Sequence, residues 1–254
     1  MLRFSPANAK IVALLKVPEL AKFLTDKRKV YSLDLLSGWS CPCAKDCLSK
    51  VKIVDDKRKI FDGPDTQFRC FSASQEALFP AVYAMRTENY KVLKSCKTVM
   101  GMVDVIESAM PKNTGIVRIH VAGDFFSQNY FDAWAMVAER NPSILFYAYT
   151  KSLPFWLKRR EGLRKVSNFV LTASYGGRHD HLIGKHRLRF ARVVLAEKAA
   201  KRLPIDHDDS HAAMPSTRRK SFALLIHGTQ PKGSDAGKAV KALKGVGSYR
   251  KGGK

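Results

Sequence analysis

No stretch of the 254-residue chain is apolar for long enough to span a bilayer, and its longest apolar runs have the length of β-strands. GxGxxG after a strand and GxxxxGK[ST] are both missing, so neither a Rossmann dinucleotide site nor a P-loop is indicated. The spacing CxxxCxxC does not occur either. The N-terminal stretch MLRFSPANAKIVALLK is broken by Lys10 and Lys16 and no small-residue cleavage site follows, so we expect no signal peptide. Acidic residues are scarce, 22 Asp and Glu against 45 Lys and Arg, which leaves a net charge of +23. An excess of that size repels itself, and a polyanion relieves it. We therefore expect a nucleic-acid partner, DNA before RNA. No basic segment is also a clean amphipathic helix, which argues against a membrane surface. The oligomeric state is not legible.

Apolar residues make up 45% of the chain and there are 14 phenylalanines, enough for one α/β domain with a sizeable core. We place that domain at residues 1–230 and a basic, partly flexible tail at 231–254, where lysine and glycine dominate. Five cysteines without an export signal point to reduced thiols in a cytoplasm.

Residues 116–177 organise the rest. Three short runs rich in β-branched and aromatic residues (116–122, 144–150, 168–174) each end in polar residues or glycine. The first leads into a helical pattern, with Ser127 as N-cap and Tyr130, Phe131, Trp134 and Val137 on one face. Two further strand-like runs start at 191 and 221, and another lies at 31–36. A spacing of one strand plus one crossover predicts a parallel sheet, and repetition suggests a (β/α) barrel, incomplete or distorted relative to a TIM barrel. An open doubly wound sheet is the alternative. Residues 51–61 predict a hairpin, 6–26 one or two short helices, 74–96 a helix broken at Pro80, and 98–110 another helix.

In such folds ligands bind at the carboxyl ends of the strands, where the chemistry-bearing residues of this chain fall. Asp124 follows the first central strand behind Gly123 and is a candidate nucleophile or general base; helix capping is its alternative. His120 is its candidate acid/base partner. Tyr147, Tyr149 and Lys151 alternate along the second run, and Ser174, Tyr175 and Arg178 end the third. His227 and Gln230 end the last. Aromatics beside basic residues at a cleft suit base stacking with phosphate contact. Residues 152–165 mix Phe155 and Trp156 with a basic run, and 205–213 is rich in Asp and His. Cys41, Cys43 and Cys47 form CxCxxxC, and Cys70 follows beyond the hairpin. Four soft ligands on two loops suit zinc, while the same set suits an iron–sulfur cluster. We therefore expect a metal loop within residues 38–70.

The cysteine loop together with FRCFSASQEALFP, RIHVAGDFFSQNYFDAW, FYAYTKS, FVLTASYGG and SFALLIHGTQ resembles the bacteriophage gene product eighty-eight family, over about residues 37–248. That resemblance implies a phage protein working in a bacterial cytoplasm. The chain is also distantly similar to guanine transglycosylases, including phage enzymes that put 7-deazaguanines into DNA. These are barrels with an aspartate nucleophile at a strand end and a zinc site of the form CxCxxC plus histidine. Here the spacing is CxCxxxC and Cys70 stands for the histidine. The similarity implies base exchange on DNA, with Asp124 attacking, the cysteines holding metal and a small purine-like base as co-substrate. An iron–sulfur radical-type enzyme and a zinc-stabilised nucleic-acid-binding protein without catalysis are the alternatives.

Overall fold

A computed structural model describes residues 1–243 of the chain. In chain order it contains β1 (Ser5–Pro6), two 3-10 turns (Ile11–Lys16 and Pro18–Phe23), β2 (Lys29–Leu33), β3 (Ser49–Val54) and β4 (Lys57–Asp62). Then come α1 (Phe71–Leu78), α2 (Pro80–Ser95), α3 (Val99–Ala109), β5 (Thr114–Ile119), α4 (Gln128–Arg140), β6 (Leu145–Thr150), α5 (Leu153–Leu163) and β7 (Phe169–Ser174). The chain finishes with α6 (His181–Lys185), β8 (Phe190–Val194), α7 (Ser210–Ala213), β9 (Phe222–Leu225) and α8 (Asp235–Ala242). The expected tail beyond 243 lies outside the described residues.

Seven strands form one sheet in the order β1-β2-β5-β6-β7-β8-β9. All neighbours run parallel except β1, which lies antiparallel on β2. The parallel strands thus follow one another in sequence order from one side of the sheet to the other. Their runs of Val, Ile, Leu and Phe fit a sheet covered on both faces. On one face Val117, Ile119, Phe146, Ala148 and Leu171 pack against α3 and α4 through Val103, Ile106, Phe131, Trp134 and Val137. Helix α4 forms where its pattern placed it, and the Ser127 hydroxyl accepts from the Tyr130 amide at 3.2 Å as its N-cap. Pro80 opens α2 at its first turn, which separates it from α1.

The opposite face carries Val30, Ile116, Leu145, Tyr147, Val170 and Phe222. Ile11, Leu14, Leu20 and Phe23 of the two 3-10 turns cover it, together with Ala212 and Ala213 of α7. This corrects the expectation of a TIM barrel. The surface that a barrel turns into its lumen is filled here by other segments, and the outer edge of β2, where a closing strand pairs, is taken by antiparallel β1. Among the described residues the sheet stays open. The basic run at 152–165 forms the helix α5, opened by Pro154. No described helix is long and apolar enough to cross a membrane.

Candidate functional site

The carboxyl ends of the parallel strands surround a cavity of about 350 Å³. Its walls come from β5 and the turn after it (Arg118, His120, Asp124), β6 (Tyr149, Thr150, Lys151), β7 (Ser174) and the segment after β9 (Ile226, His227). Cys41, Cys47 and Cys70 close the remaining side.

The cysteine loop is bound to the strand ends through its backbone. The Gly176 carbonyl accepts from the Lys45 and Asp46 amides at 3.0 and 2.9 Å, and the Arg178 amide donates to the Cys43 carbonyl at 2.9 Å. The Asp46 carbonyl in turn accepts from Gln67 and Phe68, which draws the segment leading to Cys70 alongside. A buried carboxylate anchors the loop from below. Glu76 accepts from the Ser37 amide and hydroxyl at 3.0 and 2.6 Å and pairs with Arg86 at 3.2 Å. Gly123 has a φ of +93°, and a Cβ there would stand 2.6 Å from Ser40 Oγ and 2.8 Å from Leu35 Cβ. Glycine therefore lets the β5 end sit directly under the cysteine loop.

Cys41, Cys47 and Cys70 also feel one another electrostatically. Burial pushes the Cys41 thiol well above its ordinary value, with Asp124, Cys70 and Cys47 adding to the rise. Burial and then Cys47 push Cys70 up to about 11. Cys43 separates from them: it is buried, it is absent from the cavity wall, and its thiol bonds with Ser152. Cys96 caps the end of α2 and is partly buried against the helical core rather than lying inside a helix. Among the described residues, no three His, Cys, Asp or Glu side chains are grouped so as to hold a single metal ion.

Asp124 lies at the cavity but is heavily engaged. It accepts from Thr150 Oγ1 at 2.6 Å, the Phe125 amide at 2.7 Å and the Lys151 amide at 2.8 Å, tying β5 to β6. Burial raises its carboxyl, and those donors offset only part of the rise. His120 bonds the Tyr130 hydroxyl at 2.9 Å and packs edge-on to Phe125. Burial, then the charge of Arg118, lowers it to about 3, so it is neutral at physiological pH. The Lys151 ammonium donates to Ser174 Oγ at 2.6 Å. Burial alone would lower it, but Cys47, Asp124 and Cys41 carry it above its ordinary value.

The floor centres on a residue that sequence reasoning left inside an Asp/His-rich loop. Asp209 is fully buried and meets Lys10 Nζ at 2.8 Å and the Arg118 guanidinium at 2.7 Å. The hydroxyls of Tyr147 and Tyr149 donate to it at 3.1 and 3.3 Å. Tyr147 is thereby a core residue and not a base-stacking surface, whereas Tyr149 lines the cavity with Arg118 over its ring at 5.3 Å. Of the other expected contacts, His227 faces the cavity and packs on Phe71 at 4.7 Å. Gln230 clamps the backbone of Arg69, Tyr175 packs on Phe190, and the Arg178 side chain is exposed outside the cavity. Arg118 and Lys10 face the cavity from positions that no local motif marks.

A mostly parallel α/β sheet with thiols, a lysine and an arginine lining one cavity at its strand ends defines the class of site. By sequence the chain belongs to the Gene product 88 family, whose profile matches residues 3–244. Among curated proteins it is similar to the Gene 88 protein of Mycobacterium phage L5, 28% identical over 122 residues, which cover 45% of this chain and 44% of that protein. It is equally similar to the Gene 88 protein of Mycobacterium phage D29, again 28% identical over 122 residues, 45% of this chain and 43% of the relative. The aligned region thus spans less than half the length of these relatives. No solved structure matches.

Proposed function

We propose that the chain is an iron–sulfur enzyme acting on nucleic acid in the cytoplasm of a phage-infected bacterium. Cys41, Cys47 and Cys70 would hold the cluster. The observation that carries this reading is that these three thiols, from two separate loops, line one cavity at the strand ends and interact electrostatically. They are not grouped as a preformed ligand set, so the loops would have to draw together around the cluster. Cys43, the fourth member expected from spacing, turns away to Ser152. Held by three cysteines of the cavity wall, a cluster would be within reach of a molecule bound in the cavity, as in catalytic rather than structural metal centres. A bound iron–sulfur cluster supplies one-electron chemistry at a potential set by nearby charge and hydrogen bonds. The scaffold suits it, since six parallel strands in sequence order are the winding of a (β/α) barrel left open.

The chain's own residues have definite parts in this reading. The Lys151 ammonium stands among the thiols and offsets their negative charge once they ionise. Asp124 fixes the Lys151 backbone and the β5–β6 junction and acts as a positioning residue. Arg118 and Lys10 leave the floor with one positive charge beyond the single charge of Asp209, which favours an anionic group on the bound molecule.

The test is anaerobic purification with iron, sulfide and zinc analysis, with and without reconstitution. The wild type, C43A and C96A should be brown with iron and sulfide, and C41A, C47A and C70A colourless. A colourless wild type carrying one zinc per chain would replace the cluster with zinc. Loss of colour in C43A equal to that in C47A would show that the ligand set is wrong.

Base exchange on DNA with Asp124 as nucleophile is the second reading, favoured by the place of that carboxyl at the cavity and by its raised pKa. It requires Asp124 to exchange its three donors for an attacking position. Nucleoside mass spectrometry of DNA exposed to iron-free protein should show a D124N-sensitive exchanged base if this reading holds, and none under the first, which requires the cluster.

A further inference from the structure

The β3–β4 hairpin lies between Cys47 and Cys70, and its two faces differ. The inner face packs on α1, with Val51 buried and the Arg58 guanidinium donating to the Glu76 and Ala77 carbonyls at 3.1 Å. The outer face carries Lys50 opposite Phe61, Lys52 opposite Lys59, and Val54 opposite Lys57. Lysines directly opposite each other on a two-stranded ribbon repel, so this arrangement is locally unfavourable in the free protein. Among the described residues, Lys59 alone of these lysines makes an ion pair, with Asp55 at 3.1 Å at the exposed turn.

Aromatic rings are interleaved with these ammonium groups and continue beyond the hairpin. Lys52 lies over Phe61 at 4.9 Å, Lys50 over Trp39 at 4.7 Å and Lys94 over Tyr90 at 5.5 Å. Phe61 and Trp39 are more than 40% exposed. Trp39, Tyr90 and Lys94 share a surface depression with Pro42, between Cys41 and Cys43 of the thiol loop. The result is one ribbon of lysines and rings from the hairpin tip to the cysteine loop.

We propose that this ribbon docks a single-stranded stretch of nucleic acid, its bases stacked on Phe61 and Trp39 and its phosphates on Lys50, Lys52 and Lys59. Cations interleaved with exposed ring faces are the chemistry of sequence-tolerant single-strand binding. A polyanion converts the Lys52–Lys59 repulsion into binding energy, which no neutral partner does. The proposal rests on the nucleic-acid substrate read above but not on the identity of the cofactor.

The experiment is fluorescence anisotropy of a labelled mixed-sequence 20-mer, as single-stranded DNA, single-stranded RNA or duplex, titrated with the full chain over a range of salt. K52E/K59E should bind single strands roughly ten-fold more weakly, with a salt slope shallower by about 1.4, equal to two phosphate contacts. F61A should also lose roughly ten-fold and keep the wild-type slope. The control K112E/K165E removes the same charge just before β5 and β7, at the opposite end of the sheet, and should bind as wild type. Wild-type affinity in K52E/K59E would overturn the docking surface while leaving the nucleic-acid reading intact. An equal loss in the control would reduce the effect to net charge and overturn the surface likewise. Wild-type affinity in F61A, or preference for duplex, would overturn stacking. Absence of binding by the wild type would overturn the surface and the substrate class together.

Discussion

Asp209→Asn is the perturbation with the most calculable outcome. The carboxylate is fully buried and receives two cations and two phenol hydroxyls, all within 3.3 Å. Removing one member of a buried ion cluster while leaving its partners in place costs about 3–5 kcal/mol, since the remaining charges lose their counter-ion but not their burial. At about 2–4 °C per kcal/mol for a domain of this size, the melting temperature should fall by roughly 6–20 °C. A second estimate comes from titration. Burial alone would raise this carboxyl, but Arg118 and Lys10 outweigh it and hold the group at about 2. Against an unfolded value near 3.9, that depression is worth about 2.5 kcal/mol. The contribution is present in full above the unfolded value and disappears as the pH drops through about 2. Differential scanning calorimetry of both proteins from pH 2 to 7 measures these quantities. D209N/K10M should recover part of the loss, because one stranded cation goes with the carboxylate. A D209N protein melting within about 2 °C of wild type, with the double variant no better, would refute the picture of a dry, coupled floor.

Three further outcomes can be checked on the same protein. His120 is held neutral by burial, so its contribution to stability is complete above about pH 6.5 and is lost as pH falls toward 3; H120Q should flatten that slope by up to about 1.4 kcal/mol per pH unit in urea titrations. G123A forces a side chain into a positive-φ position already occupied by Ser40 and Leu35, and should cost roughly 2–5 kcal/mol by chemical denaturation. S127A removes the N-cap of α4 and should cost about 1 kcal/mol, with helix content retained by circular dichroism.

What could be read from the chain and what could not divides along the range of the interactions. The strands at 114–119, 145–150 and 169–174 and the capped helix after Ser127 are set by local periodicity and local hydrogen bonds, and residue types alone indicate them. Cys41, Cys47 and Cys70 were visible as possible ligands. That Cys43 leaves the group depends on how its loop binds Gly176, Gly177 and Arg178. Tyr147 and Tyr149 share an alternating face, as expected, yet that face meets the 3-10 turns and α7 around Tyr147 and reaches the cavity only at Tyr149. Closure into a barrel could not be judged because filling of the inner face depends on Ile11, Leu14, Leu20 and Phe23, four residues with only an ordinary helical pattern. The Lys10–Arg118–Asp209 floor had no sequence signal beyond the Asp/His-rich composition around Asp209. Each of its members is unremarkable among its neighbours and acquires a role only across the folded molecule.

That floor also bears on the order in which the molecule can be finished during synthesis. The segment containing Lys10 is held by late parts of the chain, both through Asp209 and through Glu19, which accepts from the Ser216 amide across 197 residues. At translation rates of about 5–20 residues per second, the first turns must wait on the order of 10–40 s for these partners to emerge. During that interval Ile11, Leu14 and Leu20 have only an unfinished sheet to cover, and the growing chain exposes the very face on which they will settle. Slow synonymous codons after residue 150 would lengthen the exposure without altering a single native contact, and the change should appear as added dependence on chaperones for a protein of unchanged final stability.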